Sequence, residues 1–138
     1  MLFRSWLSGK YRKGLQVSGP GSAARSRRLP ARYDASDPSN AAKLDAADAF
    51  GALADETGLT LIQMAVAFVT RHPAVTSAII GPRTMEHLDS YLAADGIELS
   101  TDVLDRIDEI VSPGVTINVA DNMWDFGTTA LNAAFRRR

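Results

Sequence analysis

The chain is expected to be a helix-rich α/β protein, and three observations lead there. Four stretches repeat apolar side chains at helical spacing and are closed by capping or breaking residues. One run, residues 75–80 (V-T-S-A-I-I), is short, apolar and β-branched, and Gly81-Pro82 ends it, as a buried strand would be ended. No second confident strand accompanies it in 138 residues. The backbone groups of a strand need a ladder, and each one left buried and unpaired costs about 1–3 kcal/mol. Either the strand assignment fails or this strand belongs to a larger sheet.

The elements follow in order. Residues 1–39 hold no sustained period and are punctuated by Gly9, Gly14, Gly19-Pro20-Gly21, Pro30 and Pro38, which predicts a long loop or arm. Asn40 is placed to cap a helix over residues 41–57, with Ala46, Ala49, Phe50, Leu53 and Thr57 on one face and Asp45, Asp48 and Asp55 opposite. Gly58 ends it. Thr60 and Gln63 form a capping-box pattern for a second helix, residues 61–72, stopped by Pro73. Eight of its first nine residues are apolar, so it must be buried on most sides. After the strand, Thr84 caps a third helix with Met85, Leu88, Tyr91 and Leu92 as its apolar positions. A link at Asp95-Gly96 leads to a fourth helix over 101–111, with Val103, Leu104, Ile107, Ile110 and Val111 inward and Pro113-Gly114 beyond it. Residues 112–138 are irregular in pattern.

Composition bounds the function. The length suits one domain, and 46% apolar residues allow a sizeable core. Net charge is −1, so nothing global points to nucleic acid. The charge is unevenly spread: residues 1–33 hold eight Lys or Arg and no acid, whereas all sixteen acids lie in 34–135 with only four bases. The basic stretch is either a solvated arm or an arm that meets a phosphate. There is no cysteine, hence no disulfide framework and no thiolate metal site, which fits a cytoplasmic protein. No run approaches the roughly 20 apolar residues of a membrane span, and the first seven residues do not form a signal peptide. Neither a nucleic-acid nor a membrane partner is expected.

Few residues carry chemistry. His72 precedes Pro73 at a helix end, where its charge would suit the helix dipole. No His, Asp and Glu spacing makes a metal site, and no serine lies in a G-x-S-x-G setting. Tyr11, Tyr33 and Tyr91 are acids in principle, but Tyr91 falls in an apolar stripe. The suggestive feature is the turn after residue 80. Gly81 lets backbone approach a ligand, Arg83 supplies a guanidinium, and the helix begun by Thr84 offers free first-turn N–H groups to an anion, within reach of His87.

Four motifs in this order resemble the aldo/keto reductases, nearest their bacterial, potassium-channel-β-like branch. They are W-L-S-G-K-Y at 6–11, A-A-K-L-D-A at 41–46, L-A-D-E-T-G-L-T-L-I-Q-M-A-V-A-F-V at 53–69 and V-T-S-A-I-I-G-P-R-T-M-E-H-L at 75–88. The resemblance runs from about residue 5 to about residue 125. It implies a (β/α)8 TIM barrel that binds NADPH without a Rossmann fold and reduces aldehydes or ketones by hydride transfer. This chain would be its C-terminal part, from after strand seven to the end, as one partial domain: 1–39 the loop region over the cofactor, 40–111 the helices and strand eight, 112–138 a loop bordering the substrate pocket. A barrel of this kind needs about 250 residues, and the lone strand would find its neighbours there.

Carried over by position, Lys10 approaches the cofactor phosphates and Gly81 is the glycine after strand eight, with Pro82 beside it. Arg83 and Thr84 meet the adenosine 2′-phosphate. His87 lies near the adenine ribose, where the family has Arg or Gln. Tyr91, with Ser90, replaces the family's Glu-Asn near adenine and would stack on the base. Ser22-Ala23-Ala24-Arg25 blurs the family's Ser-Arg, and M-L-F-R-S departs from its Ser-Pro-Leu-x-Gly-Gly. The catalytic Asp-Tyr-Lys-His tetrad has no counterpart here, so the chain would carry the adenosine-phosphate half of an NADP(H) site, with no catalytic residue, and be inactive unless the other half were supplied. The alternatives are a non-enzymatic interaction module, or a helix-turn-helix in residues 53–65, for which the second helix offers only Gln63 before Arg71.

Overall fold

A computed structural model describes residues 6–9, 12, 30–118 and 121. A 3-10 turn, Trp6–Ser8, comes first, then a one-turn helix α1, Pro30–Tyr33, and a second 3-10 turn, Pro38–Asn40. Four longer helices follow: α2 Ala41–Glu56, α3 Leu61–Thr70, α4 Met85–Leu92 and α5 Thr101–Ile110.

The caps explain these bounds. Thr60 and Gln63 form the capping box in full: Thr60 Oγ1 accepts the Gln63 N–H at 3.2 Å, and the Thr60 N–H donates to Gln63 Oε1 at 2.8 Å. Ser100 caps α5 through the Val103 N–H at 3.3 Å. Asn40 does not cap α2 as expected. Asp37 accepts the Ser39 N–H at 2.9 Å and starts the 3-10 turn, which runs directly into α2. Asn40 is instead fully buried and donates to the Asp34 carbonyl at 2.9 Å.

α2 packs against α3, α5 and the Trp6–Ser8 turn. The core joins Leu53 and Ala54 of α2, Met64 and Ala67 of α3, and Leu99, Val103, Leu104 and Ile107 around α5. The buried side of α2 overlaps the predicted face at Ala46, Phe50, Leu53 and Thr57 but is rotated from it. Leu53 is buried as expected, but Lys43, Ala47, Gly51 and Ala54 join it while Ala49 faces solvent. Alanine occurs all round this helix, so apolar contrast alone marks no face. Gly51 is buried away from that core, under Arg12, which lies across it 2.7 Å from Asp55 and 3.9 Å from Asp48. Gly51 permits that approach: a Cβ there would stand 2.7 Å from Arg12 Nε.

The strand expected over residues 75–80 is not formed, and the described residues include no strand. The segment is irregular, with a bend at Thr76 and no ladder, and Ile79 is 99% exposed. The physical reason is the one that made the strand doubtful: no second segment offers it N–H and C=O partners. α4 also differs from expectation. None of its residues is buried, and Met85 and Leu92 lie open at 69% and 58% exposure. No single helix among the described residues is long and apolar enough to cross a membrane. Pro38–Glu56 and Leu61–Thr70 meet at a bend of 93°, and both helices contribute to the core.

Candidate functional site

The turn after residue 80 forms as a helix entry. Thr84 is extended, and its Oγ1 accepts the His87 N–H at 3.2 Å, so the threonine is the N-cap of α4. Capping engages one of the first amides of the helix and leaves the others near the exposed end, where the helix dipole favours an anion. Arg83 stands one residue earlier, exposed, with no ion pair among the described residues. Gly81 is exposed and Pro82 half-buried beside it. His87 and Tyr91 are half-buried on α4. Six predicted site residues therefore share one short surface stretch. Glu86, in the first turn, places a negative charge there that a phosphate would have to tolerate. The seventh, Lys10, lies outside the described residues, as do Tyr11 and Trp124. Its approach is described: Trp6–Ser8 form the 3-10 turn, and Gly9 follows at φ 76°, a left-handed conformation that suits glycine.

A second feature had no forecast. A cavity of about 570 Å³ opens between the Trp6 turn, α2, α3 and the segment after α5. Its walls are largely apolar, with Phe50, Met64, Phe68 and Ile107 among them, and no residue between 81 and 91 lines it. Charge gathers at its edge. Lys43, only 3% exposed, sits 2.6 Å from Asp121 Oδ2 and donates to the Arg32 carbonyl at 3.3 Å. Arg32 holds the same aspartate, with Nε 3.2 Å from Oδ1 and Nη2 donating to the Asp121 backbone carbonyl at 2.8 Å. The Lys43 ammonium lies 5.8 Å from the centre of the buried Trp6 ring, within cation–π range. The sequence signal for this cluster was present but faint: a lysine in register with Ala47, Gly51 and Ala54 on one side of a helix.

The remaining candidates are structural. His72 Nδ1 accepts the Ala74 N–H at 3.1 Å, bracing the turn that leaves α3. Tyr33 lines the cavity. Asp34 is held below its ordinary carboxylate range, first by the Ser36 hydroxyl and then by the Ser36 N–H. No group of three His, Cys, Asp or Glu among the described residues is arranged to hold a metal. The described residues thus offer an exposed cationic helix entry and a buried ionic cluster, without an acid–base pair between them.

Comparison with known proteins gives a consistent picture. The sequence pattern of the Aldo/keto reductase family matches residues 1–112. "Protein tas" of Escherichia coli strain K12 is 35% identical over 104 residues, which is 75% of this chain and 28% of that protein. "Protein tas" of Shigella flexneri aligns with the same figures. The chain therefore spans well under half the length of these relatives. No solved structure matches.

Proposed function

Since this chain belongs to the aldo/keto reductase family, we propose that it carries the adenosine-phosphate part of an NADPH site in an oxidoreductase of carbonyl compounds. In that reading the chain is the C-terminal portion of a (β/α)8 barrel, residues 75–80 supply its eighth strand and residues 1–39 and 112–138 flank the site. The observation that carries it is Arg83: an exposed guanidinium at the capped N-terminus of α4, without an ion pair among the described residues, inside the stretch that matches the family pattern. A guanidinium, a hydroxyl and first-turn amides are the donor set a phosphate monoester takes.

Arg83 and Thr84 bind the 2′-phosphate, with His87 beside the ribose, Gly81 and Pro82 keeping the approach open, and Tyr91 against the adenine. Lys10 takes the other phosphates. When bound, the nicotinamide supplies a hydride to an aldehyde or ketone. The proton for that reaction comes from a tetrad that has no counterpart in this sequence, so the chain by itself binds without reducing. Exposed Ile79, Met85 and Leu92 fit the same reading, because neighbouring strands and helices of a barrel would cover them. The helix-turn-helix alternative gains a suitable angle, 93°, but not the side chains: Gln63 is spent on the capping box and on the Ala93 carbonyl.

NADPH fluorescence titration of the purified chain tests the assignment. Arg83→Ala is expected to weaken binding about 10–100-fold, the loss of a charge-assisted hydrogen bond, and NADH is expected to bind far more weakly than NADPH. Equal affinity for the two nucleotides, or indifference to the substitution, overturns it.

A further inference from the structure

Lys43 is a buried ammonium on the core side of α2, where Ala47 and Ala54 follow it. A charge taken out of water is tolerated only when it is paired and hydrogen-bonded. Asp121 supplies the pair at 2.6 Å, the Arg32 carbonyl a further acceptor, and the Trp6 ring an aromatic face. Asp121 in turn is gripped at two points by Arg32. One carboxylate thus joins elements far apart in the chain: the segment after α5, α1 through Arg32, and α2 and the Trp6 turn through Lys43. The two elements that flank residues 10–29, Trp6–Ser8 and Pro30–Tyr33, both end on this cluster. Asn118, whose Nδ2 donates to the Ser39 carbonyl at 3.5 Å, adds a weaker tie on the same side.

We propose that Asp121, acting through Lys43 and Arg32, is a positioning residue for the cofactor site. It fixes the Trp6–Ser8 turn, next to Lys10 in the sequence, so that the segment after α5 and this turn are held or released together. This rests on the NADPH reading for its functional half and on the geometry alone for its structural half. Charge is the active ingredient. Asparagine at 121 keeps the shape and can still accept hydrogen bonds, but it leaves the ammonium without a counter-charge. Glutamate keeps the charge.

The test uses the full chain carrying Trp124→Phe, so that Trp6 is the sole indole. In that background Asp121→Asn is expected to shift Trp6 emission to the red, raise acrylamide quenching and weaken NADPH binding, the last by about three- to tenfold for a pair coupled in this way. Asp121→Glu is expected to retain the parent behaviour. Lys43→Met, which keeps an apolar stem of similar length, is expected to release Trp6 as Asp121→Asn does, and the double variant to add little more. Circular dichroism of each variant, with unchanged helical signal, separates local release from unfolding. An unmoved Trp6 signal in Asp121→Asn, or full protection in Lys43→Met, overturns the latch. Release of Trp6 with unchanged NADPH affinity overturns the positioning role. If neither parent nor variants bind NADPH, the cofactor reading and the positioning role built on it fail together, while the Trp6 signal still decides whether the latch exists.

Discussion

Thr84 shows how much one side chain can organise. Its hydroxyl meets the His87 N–H at the entry of an eight-residue helix that buries none of its own residues. Such a helix has little packing to lean on, so the cap is a large share of what holds it. Thr84→Ala is expected to cost about 1 kcal/mol of local stability, read as faster amide exchange in α4 with α2 and α5 unchanged. Asp34 behaves differently, because its effect is one of titration. Its folded-state pKa is lowered by the two Ser36 hydrogen bonds. The stabilisation is therefore complete above the unfolded carboxyl value and is lost as pH falls below about 4 and through the folded value. An NMR titration should show the Ser36 amide shifting over that acid range, and Asp34→Asn should remove the transition. Lys43 marks what residue-level reading missed: a lysine is ordinarily surface, and nothing within a few positions of it names its partner.

Among the elements, α2 bears the core and α4 does not. Leu53 of α2 is the largest fully buried apolar side chain among the described residues, and Leu53→Ala is expected to lower stability by about 2–5 kcal/mol, measured by urea unfolding. Residues 75–80 are the opposite case. They hold a strand-forming sequence in an irregular segment with no ladder and with Ile79 wholly exposed. An unpaired, apolar, β-branched segment is a template for unwanted association. Ile79→Ser is expected to reduce self-association at high protein concentration, seen by light scattering, while leaving the unfolding free energy within about 0.5 kcal/mol of the parent. Loss of stability instead would mean that Ile79 is covered by this chain itself.

For the whole molecule, the division is between a closed helical core and an open side. α2, α3 and α5 enclose apolar side chains; residues 79–92 leave Ile79, Met85 and Leu92 in water beside Arg83. In the proposed reading that asymmetry is a barrel surface whose neighbouring strands would lie against residues 75–92. Supplying the preceding strands of a family relative in the same solution is expected to protect the amides of 75–80 from hydrogen exchange while the core of α2 changes little. Persistently fast exchange there would count against the strand-eight assignment.

The sequence by itself determined the local grammar: where α3, α4 and α5 begin, the Thr60–Gln63 box, the Arg83 turn, and the need of residues 75–80 for partners. These follow from hydrogen bonds and spacings that reach only a few residues along the chain. Only the tertiary structure decided which side of the alanine-rich α2 is buried, that Arg12 lies across Gly51, and that residues 75–80 form no strand. It alone joined Arg32 to Asp121, 89 residues apart. Contacts of that separation depend on how helices pack, and helix packing answers to shape and burial summed over the whole chain, which no local pattern encodes.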